Sequence, residues 1–341
     1  MVILRTILTS CYLFWLVLCR RLFKGALHPG WSFRFEWVSE VLRRTIRRVM
    51  VVPPATIRRL TPSAPVRPSL ARRVTSRKDT LAQLPCLWVT PHGWVESRGT
   101  MLYLHGGGYI VCSYGSHRDL ITRLAVATGW RIVAVNYRLA PEHPFPAALD
   151  DACDAYSALL RMGIAPEKMA VAGDSAGGGL SLAMLMRLRD EGQPRPGRAL
   201  LLSPWVDLTV STESVDLFDD RCYLSGDVLR CYANYYCGRE APSHPLISPL
   251  SGSFDQLPPM TVVFGGIETL RDECRLLVQR AMEAGVWVQG HEADNLTHVW
   301  PAFAGVAPDC RSAFEVITTL WADMDDVVDR QSSTGMPQTS E

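Results

Sequence analysis

A serine set between glycines is the residue in this chain of 341 most plainly able to do covalent chemistry. It stands in Gly173-Asp174-Ser175-Ala176-Gly177-Gly178, directly after the apolar run Met169-Ala170-Val171-Ala172. A Gly-x-Ser-x-Gly pattern between a strand and a helix describes a sharp turn that exposes the serine oxygen at the end of a sheet. Glycines on either side let strand and helix pass closely. The helix beginning at Ala176 aims its free N–H groups at the serine and favours negative charge developing there. About 70 residues earlier, His105-Gly106-Gly107-Gly108 follows the run Thr100-Met101-Leu102-Tyr103-Leu104. Its glycines allow the N–H groups of Gly107 and Gly108, together with that of Ala176, to approach a substrate carbonyl and hold an oxyanion. A serine nucleophile beside an oxyanion pocket implies acyl transfer, most simply ester hydrolysis.

The nucleophile needs a base and the base needs an orienting acid. On an elbow of this kind the chain order is serine, acid, histidine. Three histidines follow Ser175: His244, His291 and His298. His298, in Asn295-Leu296-Thr297-His298-Val299-Trp300, comes just after the last strand candidate, where a loop would return over the carboxyl edge of a sheet. His291 lies inside that strand and His244 sits among prolines of a long insertion, so His298 is the expected base. His105 is expected to buttress the glycine turn rather than take a proton, and Asp174 to anchor the elbow through backbone hydrogen bonds. For the acid, Glu268 is nearest the end of the strand at 259–264. Asp272, a turn into the following helix, is its rival, because aspartate is the commoner orienting residue.

These groups must be positioned by alternating elements. Strand candidates run at 86–90, 100–104, 131–136, 168–173, 198–203, 259–264 and 286–292. Helix candidates run at 117–128, 147–161, 176–190, 270–284 and 311–328. Such alternation means an α/β fold, a mainly parallel central sheet with helices on both faces. About 55 residues separate the strands at 198–203 and 259–264. That is too long for a plain connection, and an inserted helical cap is expected at about 205–245. Glu36 to Met50 repeats apolar residues at helical spacing with arginines between them. The proline-rich stretch 53–80 reads as a linker or irregular cap segment. The division expected is an anchor and basic cap segment at 1–80, a catalytic domain at 81–328 and a disordered tail at 329–341.

Charge is divided unevenly along the chain. Residues 1–80 hold 16 Lys/Arg and 3 Asp/Glu, a balance of +13, and the remainder hold 19 and 31, a balance of −12. A basic arm suggests an anionic surface as partner, and the apolar start favours a membrane over nucleic acid. The competing reading is a helical segment whose arginines are solvated or pair with the acidic body. Thr6 to Cys19 is an apolar stretch of 14 residues between Arg5 and Arg20-Arg21. It is short for a span, which takes about 20 residues. Leu18-Cys19-Arg20-Arg21 lacks the small residues of a signal cleavage site, so an interfacial anchor is expected. Ten scattered cysteines without CxxC spacing argue against zinc and favour free thiols in a reducing, cytoplasmic compartment. The chemistry requires no metal and no cofactor. The oligomeric state is left open, a homodimer being one option.

The motifs together resemble the hormone-sensitive-lipase-like family of α/β-hydrolases, over roughly residues 85–325. The shared segments are His105-Gly106-Gly107-Gly108 with Tyr109, Asn136–Ala147, the elbow Gly173–Gly178, Ser203-Pro204-Trp205 and the two late segments. The resemblance implies a carboxylesterase acting on small-to-medium acyl esters through Ser175, His298 and an acid at the Glu268 position. The 30 residues between Glu268 and His298 match the family's spacing. It also implies a cap built from the N-terminal region and the insertion, and a bracing role for Arg138 and His143. An amidase or lactone hydrolase on the same residues is the alternative. A non-catalytic receptor on a degenerate hydrolase fold would lack the histidine present here as His298.

Overall fold

Apolar runs of strand length alternating with helical patterns build one sheet and its flanking helices. In the computed structural model, which describes residues 2–49 and 51–333, the chain opens with helices α1 (Val2–Lys24), α2 (Phe33–Val49), α3 (Pro54–Leu60) and α4 (Pro68–Ala71). Strands β1 (Val74–Leu81), β2 (Leu84–Pro91) and β3 (Thr100–Leu104) follow. Then come α5 (Arg118–Thr128), β4 (Arg131–Val135), α6 (Ala147–Arg161), β5 (Met169–Asp174), α7 (Ala176–Asp190) and β6 (Arg198–Leu202). The stretch 203–259 carries α8 (Glu213–Leu217) and α9 (Gly226–Cys237). It leads into β7 (Met260–Gly265), α10 (Arg271–Glu283), β8 (Val288–Ala293) and α11 (Ala313–Ser333).

The sheet has eight strands in the order β1-β2-β4-β3-β5-β6-β7-β8. β2 pairs antiparallel with both β1 and β4, and every other pairing is parallel. Strand side chains alternate between two buried faces, as both-sided burial of a parallel sheet requires. Leu102 and Leu104 of β3 join a core with α6 and α7, whereas Met101 and Tyr103 join one with α5 and α11. The parallel strands bring their carboxyl ends to one edge, where ligands of open α/β sheets bind. The loop after β3 carries His105–Gly108, that after β5 carries Ser175, that after β7 carries Glu268 and that after β8 carries His298.

Three sequence expectations need correction. The stretch 53–80 is not wholly irregular: α3 and α4 lie in it, and its end is β1, paired with β2 along its full length. β1 is buried only at Val74 and Leu81, so its interior shows no apolar alternation and its ladder with β2 supplies the order. α11 continues through Ser333, so residues 329–333 are helical rather than tail, and 334–341 lie outside the described residues. The apolar start is one helix of 23 residues, longer than the stretch read from composition. Among the described residues no helix is long and apolar enough to cross a membrane. Met50, at the end of the expected amphipathic helix, also lies outside the described residues.

Candidate active site

Ser175 sits between β5 and α7 with φ 53° and ψ −124°, in the left-handed half of backbone space that strained elbows use. Its N–H donates to the Leu202 carbonyl at 2.8 Å, which ties the turn to β6. A Cβ on Gly173 would strike the backbone of Gly177, and one on Gly177 would strike the Leu104 carbonyl, so both crossing points exclude any larger residue. Gly107 and Gly108 both have positive φ, and a Cβ on Gly108 would run into the Tyr232 ring. The N–H groups of Gly107, Gly108 and Ala176 have no hydrogen-bond partner among the described residues.

His298 Nε2 lies 2.9 Å from Ser175 Oγ, both groups being buried. His298 Nδ1 faces Glu268 Oε2 at 3.7 Å, longer than a hydrogen bond. Ser203 explains the gap. Its hydroxyl donates to Glu268 Oε2 at 2.8 Å and accepts the Val299 N–H at 2.9 Å, so one side chain holds both the carboxylate and the histidine loop. The Gly265 N–H adds a 3.2 Å bond to the same carboxylate oxygen. Such contacts often tighten only when substrate is bound. Asp272 points elsewhere. It accepts the Ser214 N–H at 2.9 Å and pairs with Arg271 at 2.8 Å, tethering α8 to α10. His291 packs near Trp300, and His244 accepts the Leu246 N–H and lies near Phe145.

Asp174 does more than cap its own turn. Its Oδ1 accepts the Gly106 N–H at 3.0 Å and the Tyr103 hydroxyl at 2.5 Å, and its Oδ2 faces His117 Nε2 at 3.2 Å. The elbow is thereby bound to the glycine turn across two strands' ends. His117 was not singled out by the sequence, since its partner lies 57 residues away and no local pattern marks it. Both of its ring nitrogens face acceptors, Asp174 at Nε2 and the Ser113 carbonyl at Nδ1, an arrangement that suits the imidazolium. Burial alone would lower the His117 pKa, but the charge and hydrogen bond of Asp174 outweigh it and leave it raised. Burial likewise pushes the Asp174 carboxyl up, and His117, Tyr103 and the Gly106 N–H outweigh it, leaving it lowered.

His105 behaves differently. Burial, helped by the neighbouring His117 charge, pushes its pKa down to about 4. Its Nδ1 is 2.8 Å from the Gly106 carbonyl and its ring stacks on Tyr137 at 4.4 Å. The Tyr137 hydroxyl donates to the His105 carbonyl at 2.6 Å. The loop bearing Tyr137 is fixed in turn by Arg138, which forms a forked pair with Asp151, and by the Ala140 N–H on the Tyr109 carbonyl at 3.0 Å. His143 contributes through its backbone N–H on Leu139.

Ser175 opens into a cavity of about 1170 Å³. One wall is α2 and α3, including Leu42, Ile46 and Ile57, and the opposite wall is Leu224, Leu229 and Tyr232 from the segment between β6 and β7. The lining is mostly apolar, as ligand pockets are. Tyr223 reaches across and donates to the His298 carbonyl at 2.9 Å. The N-terminal arm is anchored close by: the buried Trp31 indole donates to the Asn295 carbonyl at 2.5 Å, on the loop that carries His298. Arg58 donates to the carbonyls of Ile110 and Ala140 and pairs with Glu142. Among the described residues no group of three or more His, Cys, Asp or Glu is placed to hold a metal ion.

A mainly parallel sheet with a serine elbow, a glycine turn and a histidine loop on its carboxyl edge defines an α/β-hydrolase. Residues 101–302 match the family described as alpha/beta hydrolase fold, and the chain belongs to it, in the hormone-sensitive-lipase-like branch. An acetyl-hydrolase of Streptomyces hygroscopicus is 41% identical over 239 residues, covering 70% of this chain and 79% of the relative. An esterase of Acinetobacter venetianus is 33% identical over 227 residues, covering 66% and 75%. The crystal structure of an esterase from the bacterial hormone-sensitive lipase family superposes with a TM-score of 0.76 at 35% identity, covering 84% of this chain and 97% of that one.

Proposed function

We propose that the protein is a serine carboxylesterase in which Ser175, His298 and Glu268 act as nucleophile, base and orienting acid. The observation that carries this reading is the 2.9 Å approach of His298 Nε2 to Ser175 Oγ at the floor of the apolar cavity. Ser175 Oγ attacks the ester carbonyl while His298 Nε2 takes its proton. The N–H groups of Gly107, Gly108 and Ala176 receive the oxyanion, a term typically worth about 10²–10³ in rate per donor. His298 then gives the proton to the departing alcohol, leaving an acyl-serine. Water, deprotonated by His298, releases the acid and restores the serine. The Glu268 carboxylate keeps the proton of the resting histidine on Nδ1 and stabilises the imidazolium.

α2, α3 and the segment between β6 and β7 form the cap over Ser175, and the cavity between them takes the organic parts of the ester. Its apolar lining and volume favour hydrophobic small-to-medium acyl esters. A p-nitrophenyl ester series of rising acyl length, run beside fluorophosphonate labelling, tests the serine and bounds the substrate together. Ser175→Ala is expected to lose label and about 10⁴-fold or more of kcat with unchanged melting. Hydrolysis retained by that variant would sink the mechanism.

A further inference from the structure

One face of α1 is turned away from the rest of the protein and is large, apolar and aromatic. Tyr12 is 59% exposed, Trp15 62%, Leu22 72% and Phe23 85%. Tyr12, Trp15 and Leu22 recur at helical spacing and so form one stripe. The opposite side of the same helix is spent on packing. Leu13 and Val17 are fully buried, Phe14 meets Phe33 and Trp37 edge-on, and the Trp37 indole donates to the Ser10 carbonyl at 3.1 Å. α1 therefore lies along α2, fixed on one side and bare on the other.

Charge says what the bare side meets. α1 contains Arg5, Arg20, Arg21 and Lys24 and no acidic residue. Arg20 and Arg21 both pair with the single buried carboxylate of Glu36, which leaves that cluster with a net positive charge beside the exposed Lys24. Two copies docked through this stripe would set one net positive helix end against another with no exposed acid of α1 to offset it, so a second copy is a poor occupant. Tyr, Trp and Phe beside Lys and Arg is the composition that settles at the headgroup level of a bilayer.

We propose that α1 is an interfacial helix whose Tyr12–Phe23 stripe seats the enzyme on an anionic bilayer surface without crossing it. The seat is thus centred further along the chain than the apolar stretch Thr6 to Cys19 suggests. Several arginines of the basic arm serve the fold instead. Arg43 and Arg44 pair with Glu40, Arg47 with Asp219 and Arg58 with Glu142.

The test is sedimentation of the whole 341-residue chain with phosphatidylcholine vesicles, with and without phosphatidylglycerol, at low and high salt. The wild type is expected to pellet with the anionic vesicles and to be partly released by salt. Trp15→Ser/Phe23→Ser should weaken vesicle partitioning at least about tenfold, since burying one large apolar side chain is worth about that factor. Both residues are mostly exposed and lie outside the cavity lining, Trp15 meeting Phe14 edge-on, so melting temperature should shift by no more than a few degrees and hydrolysis of a water-soluble short ester should not change. Lys24→Glu, at an exposed cation, should cost about fivefold or more on anionic vesicles only. Equal binding to neutral vesicles, equal partitioning of the double variant, or no vesicle binding at all would overturn the proposal. So would a wild-type dimer that the double variant dissolves without any lipid effect, which would assign the stripe to a second copy.

Discussion

Around Ser175 the backbone itself is the constraint, whereas across the cavity the polar ties of α2 and α3 to the body are side-chain ion pairs near the surface. On the floor, Gly173 and Gly177 cross with no room for a Cβ, and the buried Asp174 gathers Gly106, Tyr103 and His117. On the roof, Arg43 and Arg44 pair within α2 itself with the buried Glu40, and the ion pairs that reach the body are Arg47 to Asp219 and Arg58 to Glu142. An exposed pair of that kind contributes about 0–1 kcal/mol, while breaking a buried one costs about 3–5 kcal/mol. The family match runs from 101 to 302, which takes in the floor and leaves out the arm. Residues fixed by close backbone approach admit few substitutes, and residues fixed by solvent-exposed charge admit many.

The sharpest way to break that contrast is at the two acids of the floor. Glu268→Gln removes the carboxylate facing His298 Nδ1 yet keeps an acceptor for Ser203. With the proposed role, kcat for a short ester should fall by about 10³-fold or more, as loss of an orienting carboxylate does elsewhere. Asp272→Asn should change kcat less than about tenfold and act mainly on melting, because its partners are Ser214 and Arg271. Steady-state kinetics of the two variants decide the matter, and the reverse order would hand the acid role to Asp272.

A smaller effect, on stability rather than rate, is expected at His117. His117→Ala leaves Asp174 buried with only Tyr103 and the Gly106 N–H, and should cost about 3 kcal/mol in denaturant unfolding near pH 6. The pH dependence has a definite sign. The histidine's folded pKa is raised, so its contribution is whole below its unfolded value, about 6.5, and is lost as pH climbs through the folded one. The aspartate's folded pKa is lowered, so the same interaction is whole above its unfolded value, about 3.9, and is lost as pH falls through the folded one. The gap between wild type and variant should therefore be widest between about pH 4 and 6.5. A gap that widened steadily above pH 7 would contradict an imidazolium–carboxylate pair.

The same contrast governs what the sequence disclosed. β3, α6 and α7 occur where apolar runs and helical periodicity mark them, and Ser175 and His298 come together from 123 residues apart. Chain order and strand ends are enough to find such residues, because a parallel sheet delivers its carboxyl ends to one edge. The contacts that tune the floor left no such mark, although Ser203 itself stands at a strand end in the segment Ser203-Pro204-Trp205. Ser203 links Glu268 to the histidine loop, and His117 links Asp174 to the Ser113 loop, through contacts between distant loops that no local period encodes. β1 was hidden for a related reason, its exposed middle residues being ordered by their ladder with β2 rather than by burial. The basic arm was legible in composition but not in use, since charge counts do not say which arginines fold back on carboxylates.

The mildest test lies on the roof, at Arg47. Its guanidinium pairs with Asp219 and also donates to the Asp219 carbonyl at 3.2 Å, joining α2 to the loop ahead of α9. Both side chains are 42% exposed, so water and salt screen the pair. Arg47→Ala should lower unfolding stability by no more than about 1 kcal/mol, a shift of roughly 2–4 °C in melting temperature. That difference should shrink in about 1 M NaCl, where charges are screened within about 3 Å. The rate on a short ester should not change, because Asp219 touches neither Ser175 nor its partners. A loss as large as that of His117→Ala, or one insensitive to salt, would mean that the roof is locked as firmly as the floor. The difference in tolerance between the two sides of the cavity would then need a cause other than exposure.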